Sequence, residues 1–229
     1  NLTGLVWAKD ASTPVVGACA EGTKTWQGAL DYVACLNSEN YLGYSDWVLP
    51  NIAELKSLQD AGRSANRYDF ALPEAHPFTG VRLYYYWSSS TPAGDVGLAW
   101  AVYFLAGLDN DAPKTNTLRV WPMRGSQASS IIDLPKTGQT ISYAVGDDGD
   151  LQTGIAWPAQ RFTDNADGTV IDNLTGLIRL KTTNCFGSQQ WIEGLASASS
   201  LSDGSCTLND GSVLGDWRLH NTCELLSCV

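Results

Sequence analysis

The phrase Asp46-Trp47-Val48-Leu49-Pro50-Asn51-Ile52-Ala53-Glu54-Leu55 returns as Asp216-Trp217-Arg218-Leu219-His220-Asn221-Thr222-Cys223-Glu224-Leu225. An asparagine before a helix accepts hydrogen bonds from first-turn amides, and a glutamate three residues on reaches back to the asparagine's own amide. Asn51 with Glu54, and Asn221 with Glu224, each fit that reciprocal cap. Pro50 favours extended backbone just ahead of the first cap. A second phrase, Asn1-Leu2-Thr3-Gly4-Leu5, returns as Asn173-Leu174-Thr175-Gly176-Leu177. Between the two phrases each copy carries a tryptophan-led helical pattern, from Trp26 and from Trp191. Two landmarks duplicated in the same order imply an internal repeat.

Along the chain, Leu2 to Lys9 reads as a strand and Ala11 to Gly22 as loop. Thr25 is an N-cap for a helix to about Asn37, with Trp26, Leu30 and Val33 as its apolar stripe. The capped phrase opens a helix from Ile52 to about Asp60. Residues 84–90 begin a different texture, followed by a strand at Leu98–Phe104, a polar turn at Asp109–Asn116 and a strand at Leu118–Gly125. Short helices followed by a small antiparallel sheet describe an α+β fold, partly duplicated. Residues 1–125 read as a complete domain, 126–160 as a linker, and 161–229 as an incomplete second copy. The second copy opens with a hairpin around Asp167-Gly168, then the strand Leu174–Leu180, a helix from about Gln190 and a capped helix after Asn221.

Lys plus Arg is 14 against Asp plus Glu at 24, a formal charge of -10. That balance argues against a nucleic-acid partner, whose backbone needs clustered positive charge. Nine tryptophans and nine tyrosines are expected mainly as core anchors, with an aromatic sugar platform as the alternative. The six cysteines show no Cys-x-x-Cys spacing, and His76 and His220 lack zinc-ligand companions. Disulfide stapling in an oxidising compartment is the expected use. Cys19 and Cys35 flank the first helix start and Cys185 and Cys206 bracket the second, so those two bridges are favoured. Cys223 and Cys228 sit five positions apart on different helix faces, leaving one or both to reach elsewhere, even to another subunit. No membrane span is visible, and the amino terminus looks trimmed because it begins inside a repeated phrase.

At these residues the sequence resembles the Lcl C-terminal-like (DUF1566) family of bacterial surface and secreted proteins. The matched pieces are Thr3–Trp7, the helix led by Trp26, Asp46–Asn51 with Glu54-Leu55, Tyr86–Ser90, Ala99-Trp100 with Val102, and Val120–Gly125. Residues 162–228 resemble the first half of a second copy, departing at Arg179, where the first has Trp7, and at His220, where it has Pro50. The resemblance implies a C-type-lectin-like fold and carries no catalytic residue set. One relative is a collagen-like adhesin that binds sulfated glycosaminoglycans.

Tyr84 and Tyr85 are the leading recognition candidates, since three successive tyrosines cannot all face inward. Trp87 and Ser88 are candidates for the same sugar-binding surface, with a buried tryptophan followed by turn serines as the competing reading. Asp164, Asp167 and Asp172, with Asn165 and Thr169, offer hard oxygen ligands around Gly168. Calcium is therefore the candidate cofactor, although the spacing is not that of an EF-hand. Asp147, Asp148 and Asp150 read as an exposed acidic turn. There is no Gly-x-Ser-x-Gly, phosphate loop or His-Glu-x-x-His, so no enzyme is expected. Two function classes remain: a self-assembling surface or filament subunit, as a homo-oligomer or head-to-tail polymer, and a monomeric adhesin that binds a glycan.

Overall fold

In the computed structural model, residues 3–63, 71–105, 107–125 and 133–226 are described. The chain divides into two compact units, Asn1–Ala156 and Trp157–Val229.

In the first unit, Thr25 Oγ1 accepts from the Gly28 amide at 3.1 Å and starts helix α1, Trp26–Ser38. Trp26, Ala29, Leu30, Val33 and Leu36 recur every three or four residues and are all buried. The helix stops at Glu39, and Asn40 follows in the left-handed region at φ 50°. Helix α2, Ile52–Lys56, starts in the expected reciprocal cap. The Glu54 amide donates to Asn51 Oδ1 at 2.9 Å, and the Asn51 amide donates to Glu54 Oε2 at 2.8 Å.

Strand β1, Val6–Trp7, pairs antiparallel with β5, Met123–Arg124. Strands β2 (Tyr85–Trp87), β3 (Leu98–Tyr103) and β4 (Leu108–Pro113) form a second antiparallel sheet in that order. The β4 region was expected as a polar turn. It is an edge strand whose backbone pairs with β3 from Leu98–Pro113 to Tyr103–Leu108, and its outward side chains obscure any period-two pattern.

The core lies between α1, α2 and these strands. Trp121 sits in an aromatic nest, with ring centroids 4.8 Å from Phe78, 5.4 Å from Phe104 and 5.5 Å from Tyr86. Each buried indole N–H finds a carbonyl: Trp26 to Ser88 at 3.0 Å, Trp47 to Tyr41 at 2.9 Å, Trp87 to Lys24 at 2.8 Å and Trp121 to Ala8 at 2.9 Å. These rings thus bury area without leaving an orphaned donor. Cys19 is bonded to Cys35, with Cα atoms 5.7 Å apart, tying the loop before α1 to the body of the helix.

The stretch 126–160 is divided. Its residues 133–156 fall within the first unit and reach the start of α2 at Thr153, whose Oγ1 donates to Glu54 Oε1 at 2.8 Å. Within it, Asp147 caps a short helix α3, Asp148–Leu151, by accepting from the Asp150 amide at 2.8 Å.

In the second unit, β6 (Phe162–Asp164), β7 (Thr169–Asp172) and β8 (Ile178–Leu180) form an antiparallel sheet. The β6–β7 turn contains Gly168 at φ 89°, where an added Cβ would lie within 3 Å of the Thr207 backbone, so a side chain there meets both strain and a clash. Helix α4, Trp191–Ser199, begins in a Gln190/Glu193 cap, and α5, Thr222–Leu226, follows Asn221. Asn221 and Glu224 repeat the reciprocal bonds, each at 2.9 Å. Cys185 is bonded to Cys206. Cys223 is free and exposed, while Cys228 lies outside the described residues.

Candidate functional site

The run Tyr84–Ser90 enters the body of the first unit as it proceeds. Tyr84 is exposed, and Tyr85 is half-buried with its ring stacked on Tyr103 at 4.8 Å. Tyr86, Trp87, Ser88, Ser89 and Ser90 are buried. Of the two readings of Trp87 and Ser88, the structure has the buried tryptophan followed by turn serines, not the sugar-facing surface. Trp87 sits in the core, and Ser88 Oγ donates to the Trp100 carbonyl at 2.7 Å. Tyr84 and Tyr85 stay together at the surface.

Behind the serines lies a buried acidic network that local sequence did not signal. Ser90 Oγ donates to Asp148 Oδ2 at 2.6 Å, and Thr137 Oγ1 donates to the same oxygen. Asp147 and Asp148 were read as an exposed acidic turn, yet both are buried. Asp147 has a structural reason to be inside: it caps α3 and accepts from the Tyr143 amide at 2.8 Å. Burial pushes Glu54 up to about 7, partly opposed by the Asn51 amide and the Thr153 hydroxyl. Burial also raises Asp148 above the usual carboxylate range. This network fastens 137–153 to the N-terminal end of α2 and to Ser90.

The acidic residues of the second unit have separate partners. Asp164 pairs with Lys181, Asp167 Oδ1 accepts from the Thr169 amide at 2.9 Å, and buried Asp172 faces Arg161 at 3.5 Å. Among the described residues, no group of three or more His, Cys, Asp or Glu side chains could hold a metal ion. Asp164, Asp167 and Asp172 are thus not brought into one ligand cluster.

The feature that sequence reading missed is an exposed apolar face on the second unit. The repeated phrases align Trp191, Leu195, Leu219 and Leu225 with Trp26, Leu30, Leu49 and Leu55. In the first unit all four are buried, with Trp26 at 3% and Leu55 at 0% exposure. In the second unit all four are exposed, Trp191 to 70% and Leu225 to 59%. What covers the first set is visible: Trp26 bonds to Ser88 just after β2, and the whole set packs with Trp87, Ala101, Val102 and Val120 in one cluster. The second unit has only β6–β7–β8 as its sheet among the described residues. A signal was present in the sequence, because the helical pattern recurs without the aromatic strand run that follows the first copy.

The second cap also has a different electrostatic setting. Arg218 bonds both Glu224 oxygens and, with the Asn221 amide, pulls the Glu224 carboxyl down to about 2. Arg179 Nη2 donates to the Glu224 carbonyl at 2.7 Å, tying β8 to α5.

Residues 1–124 match the family described as the Lcl C-terminal domain. No curated protein matches the chain. Among the described residues, no helix is long and apolar enough to cross a membrane.

Proposed function

The chain belongs to the Lcl C-terminal domain family, and on that premise we propose that it is an extracellular surface subunit that assembles with copies of itself. The family is non-catalytic, and the chain is not an enzyme. In this reading the first unit is a self-sufficient lectin-like body. The second unit is a further copy of its helical half and serves as the assembling part. The observation that carries the reading is the uncovering of Trp191, Leu195, Leu219 and Leu225, whose counterparts are buried in the first unit. Water-exposed apolar side chains on this scale favour association, because covering them removes that surface from water. Two disulfides in a chain of this size suit an oxidising compartment.

Negative-stain electron microscopy of native material, with light scattering on the same sample, tests assembly. Multimers or filaments are expected. A monomer persisting at high concentration removes the reading. The exposed Tyr84 and its neighbour Tyr85 support a second reading, a monomeric adhesin presenting these rings to a glycan. A glycan array with a Tyr84→Ala/Tyr85→Ala control separates the two: specific binding lost in the variant, from a monomeric protein, establishes the adhesin instead.

A further inference from the structure

We propose that residues 133–156 form a latch on the first unit that stays closed while its buried carboxyls are protonated and opens as the pH rises. The latch lies beyond residues 1–124, the part of the chain that matches the family. Mostly polar contacts fasten it to the body. The Asp148 amide donates to the Ser89 carbonyl at 3.3 Å, the Thr91 amide to Gln139 Oε1 at 2.7 Å, and Asn51 Nδ2 to Thr153 Oγ1 at 3.0 Å. The Ser90 hydroxyl reaches Asp148, and the Thr153 hydroxyl reaches Glu54. The larger apolar side chains of the latch, Ile141, Tyr143, Val145, Leu151 and Ile155, are exposed, whereas Ala144 packs against the buried cluster of the first unit. A segment that buries so little apolar surface can open while α1 and the tryptophan core stay folded.

The closed latch buries acid without a compensating base. Glu54 is 1% exposed and Asp148 2%, and each faces the other, with Asp147 beside Asp148. Asp147 is satisfied by the Tyr143 and Asp150 amides and the Gln139 side chain. The nearby charges are directed elsewhere. Lys114, just past β4, acts on Asp147 and lies over the Tyr143 ring. On the latch, Lys136 bonds Gln152 and Asp150 accepts from the Gly146 amide; on α2, Lys56 pairs with Asp109. Among the described residues, none of the three buried carboxyls is in an ion pair. Asp148 Oδ2 takes both hydroxyls, while Oδ1 is buried with no hydrogen-bond partner, so a charge spread over both oxygens is poorly solvated there. Opening carries Asp148 into water with the latch and uncovers Glu54 where Thr153 leaves it. Burial raises both carboxyls, Glu54 to about 7 from 4.5, so closure is favoured below pH 4.5 and weakens as pH rises through 7.

Hydrogen exchange on dilute full chain at pH 5 and pH 8 tests the latch, with each amide's rate divided by its intrinsic rate at that pH. Full hydration of Glu54 alone corresponds to a change on the order of 70-fold between the two conditions. Protection of the Lys136, Asp148 and Ile155 amides, which bond Ile155, Ser89 and Leu134 carbonyls, is expected to fall at least about tenfold. The amides of Leu30–Leu36 in α1 are expected to keep theirs. Glu54→Gln with Asp148→Asn is expected to remove the fall, and α1 protection checks that this variant is folded. As a second measurement, on wild type alone, carbon NMR of the side-chain carboxyls is expected to show Glu54 and Asp148 titrating over the same pH range in which the latch amides lose protection. Latch amides equally protected at both pH values, or α1 losing protection in step with them, overturn the latch. So do a folded double variant that keeps the wild-type fall, and carboxyls that titrate at ordinary values in the wild type.

Discussion

The two units carry the same short sequence patterns in opposite surroundings. Asn51-x-x-Glu54 and Asn221-x-x-Glu224 make the same pair of reciprocal hydrogen bonds. Glu54 does so inside the protein and is pushed up to about 7, whereas Glu224, held by Arg218, is pulled down to about 2. Trp26 and Trp191 each open a helix, one in the core and one in water. Local sequence therefore fixes the cap and the helix start. Burial comes from residues far along the chain, Ser88 and β2 for Trp26 and Thr153 for Glu54, whereas the charge state of Glu224 is set by Arg218 six residues away.

The sharpest way to break this comparison is to remove a tryptophan from each side. Trp87→Ala leaves a large cavity in the first unit and removes one of the two hydrogen bonds that the Lys24 carbonyl accepts, the other coming from the Leu118 amide. It is expected to cost about 3–5 kcal/mol in denaturant unfolding. Trp191→Ala is expected to shift stability by no more than about 0.5 kcal/mol when measured on dilute chain. Equal costs would mean that Trp191 is buried in the isolated molecule.

The Cys185–Cys206 bond spans 21 residues in a unit whose buried apolar side chains, among those described, are Ala198, Leu201 and Leu208. Replacing both cysteines by alanine is expected to cost about 3 kcal/mol. Hydrogen exchange should show protection lost throughout 161–226 while 26–56 stays protected. The first unit, with its larger core, is expected to survive the loss of Cys19–Cys35.

The two glutamates should give pH profiles of opposite sign. Glu54 has a folded pKa of about 7 against 4.5, so its contribution is full below pH 4.5 and is lost as pH rises through 7. The loss is on the order of 3 kcal/mol, and Asp148, also raised, acts in the same direction. Glu224, lowered to about 2 from 4.5, contributes above pH 4.5 and stops contributing as pH falls through 2. Thermal scans from pH 2 to 8 check both limbs. Glu54→Gln should flatten the upper one and Glu224→Gln the lower. Asn221→Ala is expected to cost about 1 kcal/mol, from loss of an exposed cap. Asn51→Ala should cost more, since the Asn51 side chain also donates to Thr153 at 3.0 Å.

Local chemistry made much of the fold legible. The Thr25 cap, the apolar stripe from Trp26 and both reciprocal caps involve residues at most a few positions apart. The hairpin at Gly168 was visible because a positive φ selects glycine. What escaped was long-range. Ser90 meets Asp148 across 58 residues and Glu54 meets Thr153 across 99, and no periodicity reports such pairs. An acidic turn reads as solvated until its amide and hydroxyl partners are known, and so Asp147 and Asp148 were placed outside. Ser88 left two readings open for a similar reason: its hydroxyl looks available in sequence, and only the fold shows that it is held by the Trp100 carbonyl. The exposed face could not be inferred from Trp191 or Leu225 themselves, because the same residue types line the core of the first unit.

The way residues 134–156 are fastened has a mechanical consequence. This stretch is the route by which tension on the second unit reaches the first. A pull at Ala156 loads the Ile155–Pro135 backbone bridge first, then the Thr153–Glu54 hydrogen bond, and then the Ser90 and Thr137 bonds to Asp148. These are individually weak links arranged in series ahead of the tryptophan core. Pulling the full chain by its ends is therefore expected to give a short extension, from release of this stretch, before the larger event in which Trp87 and Trp121 leave the core.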